Sequence, residues 1–248
     1  MNKWTNIVQN ALFSPICILC GDAGNQLHSH FKKTYFNKEL DLCSNCRDEL
    51  PTHHTACARC AEPLASPLYS THAFESLCGR CQTQPLAFER CQAMFSYHAP
   101  ANHSLQRLKF NGRLEMARVL GELKANWLEQ IIDNRPDSLI PMLLHKNWLR
   151  ERDFNQAVEL ARPITKHLGL HLEINRCIRQ ITTTPQSDLS RKERIKNVNG
   201  AFEVLKPVFG HVVITDDVMT TGSTAHEFAK TLLQAGATSV GVWVCARA

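Results

Sequence analysis

No run of about 18 apolar residues occurs in this 248-residue chain, which argues against a transmembrane helix. The opening stretch, MNKWTNIVQNALFSPICILC, has one early lysine, no long apolar core and no small-residue cleavage site. It reads as a mature N-terminus and not as a secretion signal. Aromatic residues are scarce at 7%, and no regular interleaving of aromatic with basic side chains announces a stacking surface for nucleic acid. These absences make a cytoplasmic protein without a membrane span the expectation. At 44% hydrophobic, the chain is long enough for one well-cored domain and a smaller module.

The net charge of +5 is uneven. Residues 1–90 balance eight Lys/Arg against eight Asp/Glu, whereas residues 91–248 carry twenty against fifteen. Within the second part, Arg176, Arg179, Arg191, Lys192, Arg194 and Lys196 face only Asp188 and Glu193. Such a run is either a solvated face or a contact for phosphate or nucleic acid.

Cysteine is the abundant exception. Eight of the eleven form four C-x-x-C pairs: Cys17/Cys20, Cys43/Cys46, Cys57/Cys60 and Cys78/Cys81. Two thiolates three positions apart on a tight turn can point at one tetrahedral ion, and a second pair on a returning segment completes a four-cysteine zinc site. The gaps of 22 and 17 residues suit two sequential ribbons, with a cross-brace of the first pair with the third and the second with the fourth as the alternative. Disulfides are the competing reading, disfavoured in a reducing compartment. Four thiolates close the zinc shell, so both sites read as structural. Gly21 and Gly79 fit the turns of such knuckles, and His28, His30, His53, His54 and His72 read as surface residues. Cys91, Cys177 and Cys245 sit among apolar neighbours and read as buried thiols.

From residue 90 onwards the pattern changes. RCQAMFSYH (90–98) reads as a strand, followed by helices in NHSLQRLKF and RLEMARVLGELKANWLEQII. In the second helix Leu114, Ala117, Leu120, Leu123, Trp127, Leu128 and Ile131 share one face. SLIPMLL is a short apolar strand, HKNWLRERDFNQ a basic turn, and NQAVELARPITKHLG a helix burying Ala157, Leu160, Ala161, Ile164 and Leu168, with Gly169 as its C-cap. HVVITDD and TSVGVWVCA are buried strands flanking the helix STAHEFAKTLLQAG. Alternating strands and helices indicate an α/β domain with a mainly parallel sheet, whose ligands sit at the carboxyl ends of the strands. The expected division is a zinc-binding domain at 1–88 and an α/β domain at 89–248.

DDVMTTGST falls at such a strand end. Backbone N–H groups and hydroxyls of Thr220, Thr221, Gly222, Ser223 and Thr224 can surround a phosphate at the positive end of the following helix. Asp216 and Asp217 would repel that phosphate, and suit instead two hydroxyls of a sugar attached to it. The competing reading is an Asp pair that merely caps a turn.

VVITDDVMTTGST resembles the phosphoribosyl-pyrophosphate (PRPP) signature of type I phosphoribosyltransferases. With the cysteine pairs, LKFNG (108–112), RERDFNQA (150–157) and QSDLSRKERIKNVNGAF (186–202), nearly the whole chain resembles the ComF family of competence-associated proteins. The resemblance implies a double zinc ribbon with two structural Zn2+, followed by a phosphoribosyltransferase-like fold. It implies ribose hydroxyls on Asp216 and Asp217 and the 5-phosphate on Thr220–Thr224, with Mg2+ carried mainly by PRPP. Lys146, Arg150 and Arg152 are then candidates for pyrophosphate, and Arg191 and Arg194 for phosphate or DNA on a loop over the substrate. Two departures stand out. Asp153 replaces the glycine of the common RGFNQ, where it could N-cap the next helix, and Thr220 replaces an Asp that purine-salvage members use to contact the base. Three functions follow: an accessory of DNA uptake that binds single-stranded DNA and PRPP, with helicase or recombination-mediator partners; a phosphoribosyltransferase of unknown acceptor; or a zinc-ribbon scaffold with a degenerate enzyme domain.

Overall fold

The computed structural model describes residues 16–22, 40–52, 55–64, 76–181 and 199–248. His28, His30, His53, His54, His72, Arg191, Arg194 and most of the 186–202 motif lie outside them.

A five-stranded parallel sheet forms the centre of the molecule. Its strands are β1 (Cys91–Ser96), β2 (Ser138–Pro141), β3 (His171–Leu172), β6 (His211–Met219) and β7 (Ser239–Arg247), in the order β1-β7-β6-β2-β3. A separate antiparallel pair, β4 (Cys177–Arg179) with β5 (Phe202–Val204), brackets the basic stretch. β6 and β7 are the long central strands, aligned so that Ile214 faces Val242 and Thr215 faces Trp243. Their near-continuous apolar runs are what a parallel strand covered on both faces requires.

Helices α3 (Ala101–Asn111), α4 (Leu114–Ile131) and α6 (Gln156–Leu168) cover one face. Helix α7 (Ser223–Gln234) covers the other, with Phe228 and Leu232 against Val212, Ile214, Val240 and Val242. α6 buries all five residues expected of it and ends at Gly169 in the left-handed region. Gly121 of α4 permits a close crossing with α6, since a Cβ there would meet Leu160 O at 2.8 Å and collide with the Pro163 ring.

The buried face of α4 is wider than the heptad-like stripe expected. Ala117, Leu120, Leu123 and Leu128 are buried, joined by Met116, Val119, Ala125 and the aliphatic stem of Lys124. Leu114 and Ile131, the first and last residues of the helix, are exposed. Lys124 is completely buried and its Nζ has no hydrogen-bond partner among the described residues. Burial pulls its ammonium down to about 8, against a weaker upward pull from Cys245, Cys91 and Asp216.

The basic segment after β2 is not a turn but a short helix, α5 (Lys146–Arg152), whose first turn is capped by His145 accepting from Asn147 N. Asp153 does not cap the next helix. It closes α5 with φ 61°, a left-handed conformation, which accounts for the glycine common at this place. The N-cap of α6 is Asn155, whose Oδ1 accepts from Ala157 N at 2.9 Å while its Nδ2 donates to Met142 O at 3.0 Å. No helix among the described residues is long and apolar enough to cross a membrane.

Candidate functional site

The cysteines pair sequentially. Cys17, Cys20, Cys43 and Cys46 form one cluster and Cys57, Cys60, Cys78 and Cys81 the other, each with its sulfurs within 4.8 Å of one another. The cross-brace is thereby ruled out. All eight thiols are free of disulfides. Four sulfurs about 2.3 Å from a tetrahedral zinc stand about 3.8 Å apart. Cys20 Sγ to Cys43 Sγ is 3.8 Å and Cys60 Sγ to Cys78 Sγ is 3.6 Å, so the thiols already hold the spacing of two closed Zn2+ sites.

The two ribbons repeat one design. In the first knuckle Gly21 N donates to Cys17 O (2.8 Å) and Cys17 N to Asp22 O (2.7 Å); in the second Ala61 N donates to Cys57 O (2.9 Å) and Cys57 N to Glu62 O (2.8 Å). The residue after the knuckle is left-handed in both, Gly21 at φ 80° and Ala61 at φ 54°. Each second pair opens a short helix, α1 (Ser44–Asp48) or α2 (Gly79–Thr83), with Cys43 or Cys78 as N-cap. Gly79 is thus a helical residue and no left-handed turn depends on it.

Each cluster also has one thiol poised to ionise. Burial raises Cys17 and Cys57, but backbone N–H donors outweigh it and draw them down to about 6 and about 7. Burial and thiol neighbours push Cys46 and Cys81 upward, and burial lifts Cys60 to about 11. A dication at each centre would relieve this crowding.

At the carboxyl end of the sheet lies a cavity of about 660 Å³, lined by Asp216, Asp217 and the whole Thr220–Thr224 turn. The aspartates are held by the strand's own amides: Asp217 N donates to Asp216 Oδ1 (2.8 Å) and Val218 N to Asp217 Oδ1 (2.9 Å). Burial, then the adjacent Asp217, pushes the Asp216 carboxyl well above the usual carboxylate range. A pair so placed favours a hydroxyl that can donate to it, or a nearby cation. In the turn, Gly222 adopts φ 75° and Thr221 Oγ1 lies 2.9 Å from Ser223 Oγ. α7 then starts without a side-chain N-cap, leaving its positive end turned to the cavity.

Of the basic candidates on α5, Arg152 lines the cavity, whereas Lys146 and Arg150 are exposed outside it. Lys109 and Arg179 line it as well. Arg152 is flanked by rings, its guanidinium carbon 5.7 Å from the Phe110 centroid and 5.5 Å from that of Trp148. Of this grouping the sequence pattern marked only Arg152 and Arg179, each within a basic stretch, because the members come from α3, α5 and β4.

The second ribbon reaches the same turn. Arg80, inside the Cys78/Cys81 pair, donates through Nη1 to Thr221 O. Arg247 at the end of β7 donates to Cys60 O (3.0 Å) and Met219 O (3.3 Å) and pairs with Glu62. His226 of α7, its pKa lowered by burial, accepts at Nδ1 from Ala87 N at 2.8 Å. None of these three carries a local motif; only the fold discloses them.

The double zinc ribbon domain family matches residues 8–82. The DNA utilization protein YhgH of Salmonella typhimurium is 33% identical over 216 residues, covering 83% of this chain and 90% of that one. Competence protein F of Haemophilus influenzae is 30% identical over 218 residues, covering 84% and 90%. Among solved structures, the glutamine PRPP amidotransferase of B. subtilis overlaps 57% of this chain and 30% of its own, with 17% identity and a TM-score of 0.38. Relationship to the competence and DNA-utilization proteins over more than four-fifths of its length, together with two tetracysteine centres ahead of a parallel α/β sheet, makes this chain a member of the ComF family.

Proposed function

We propose that the chain is a competence protein whose cavity binds Mg2+–PRPP and which handles single-stranded DNA during natural transformation, in the cytoplasm. The observation that carries the reading is the meeting of Asp216, Asp217 and Thr220–Thr224 at one cavity with Lys109, Arg152 and Arg179 around it. Asp216 and Asp217 would accept hydrogen bonds from the two ribose hydroxyls, and the turn with the start of α7 would hold the 5-phosphate. Mg2+ would arrive on the pyrophosphate oxygens, offsetting the charge between them and the aspartates. The names of the relatives, DNA utilization and competence proteins, support the DNA half.

A second reading, transfer of the phosphoribosyl group to an acceptor, is favoured by the size of the cavity, which extends past the turn to Tyr97 and Trp148. There the protein's part would be to orient the ribose and stabilise the positive charge that builds as pyrophosphate leaves. Calorimetric titration of the zinc-loaded chain with Mg2+–PRPP tests the shared premise. Wild type should bind and Asp216→Asn/Asp217→Asn should not; equal binding by both would sink the assigned site. Release of pyrophosphate in the presence of DNA or a base would then select the enzyme.

A further inference from the structure

We infer that unpaired bases of single-stranded DNA stack on Phe110 and Trp148 at the mouth of the cavity, with Lys109 and Arg152 holding the adjoining phosphates. This deepens the reading above and rests on its DNA half. Phe110 closes α3 with 69% of its surface exposed, an uncommon position for a ring that burial would stabilise. It is one of several exposed apolar side chains, but among the described residues it alone stands between two cations at the cavity. Lys109 Nζ lies 5.7 Å from its centroid, and the Arg152 guanidinium bridges it to Trp148. A base has a π-face whatever its sequence, so rings bordered by guanidinium and ammonium groups make a sequence-tolerant platform.

Charge selects a strand over smaller or neutral occupants. Residues 101–113 and 146–153 together carry Arg107, Lys109, Arg113, Lys146, Arg150 and Arg152 against Glu151 and Asp153. Arg107, Lys146 and Arg150 are exposed outside the cavity and add to the positive field around its rim. Duplex DNA offers the same phosphates but keeps its bases stacked on one another. The platform adjoins the Thr220–Thr224 turn across one cavity, so a strand seated here would lie against bound PRPP.

The test is fluorescence anisotropy of labelled oligo(dT) with the zinc-loaded full chain, over a range of salt. Phe110→Ala and Trp148→Ala should each weaken binding on the order of tenfold, and Phe110→Trp should retain it. Phe209→Ala removes a ring 72% exposed just ahead of β6, at the opposite end of that strand, and should change nothing. Arg152→Gln should lower the salt slope by about 0.7, the share of one phosphate contact on a single strand. Trp148 emission, isolated by comparison with Trp148→Phe, should be quenched by oligo(dT). Wild-type binding that survives Phe110→Ala and Trp148→Ala together would overturn the platform while leaving DNA handling standing. Absent oligo(dT) binding beside intact Mg2+–PRPP binding would overturn both the platform and the DNA half of the function. Equal affinity for duplex, for polyglutamate or for thymidine monophosphate would overturn it too, reducing the surface to a polyanion or nucleotide site.

Discussion

The two zinc ribbons share a ligand set and a backbone plan, yet they are attached to different parts of the molecule. The first packs through Cys17, Leu40, Leu42 and Leu50 onto α3 and α4, and its Asp41 meets Arg118 at the surface. The second packs through Cys57, Cys60 and Cys81 into the core beneath α7, and Arg80 and Arg247 tie it to the Thr221 and Met219 carbonyls. Identical metal chemistry therefore braces helices in one case and the candidate phosphate turn in the other. The difference lies in which side chains stand beside the ligands, not in the ligands.

Removing one thiolate from each ribbon separates the two roles most sharply. Cys46→Ser and Cys81→Ser should each lose one of two zinc ions, counted by native mass spectrometry. Cys81→Ser should also weaken Mg2+–PRPP binding by about tenfold or more, because the turn loses its support, while Cys46→Ser leaves it unchanged. Equal effects would mean that the ribbons act as one block. A smaller change, Arg80→Gln, cuts the tie without disturbing the metal. A charge-assisted hydrogen bond of about 1.5 kcal/mol would translate into roughly a tenfold loss if PRPP needs it in full, and less if the turn holds itself. Its counterpart Arg118→Gln breaks only an exposed ion pair and should leave PRPP binding and stability as they are. A smaller effect, confined to stability, comes from exchanging the knuckle residues. Gly21→Ala has open space for its Cβ and should cost about 1 kcal/mol from the left-handed backbone alone, whereas Ala61→Gly should recover a similar amount, both read from zinc-dependent denaturant curves.

Much of the architecture could be read ahead of the coordinates. C-x-x-C spacing is set by coordination geometry within a few residues, so Cys17 through Cys81 announced themselves, although the choice between ribbons and cross-brace required tertiary placement. The apolar runs of β6 and β7 declared a sheet buried on both faces, and DDVMTTGST a strand end ahead of a helix. What escaped is what distant segments create together. Arg80 and Thr221 are 141 residues apart, and Arg247 and Cys60 are 187 apart. The helix at Lys146–Arg152 was hidden because it is short, polar and capped by His145, a residue seldom read as a start signal. Lys124 was hidden by its chemistry, since an amine on the core face of a helix contradicts the usual partition of charge to water.

The position of β7 has a temporal consequence. It is the last strand in sequence but lies between β1 and β6, so every contact that joins β1 to the rest of the sheet waits for it. As a chain emerges from the ribosome, the ligands of both cysteine clusters are complete well before Ser239 appears. The sheet then closes by inserting its final strand, a long-range step that topology makes slow. Arg247 reaches back to Cys60 only at that moment. The ligands of both zinc sites are thus all synthesised before the strand that fastens one of them to the candidate phosphate turn.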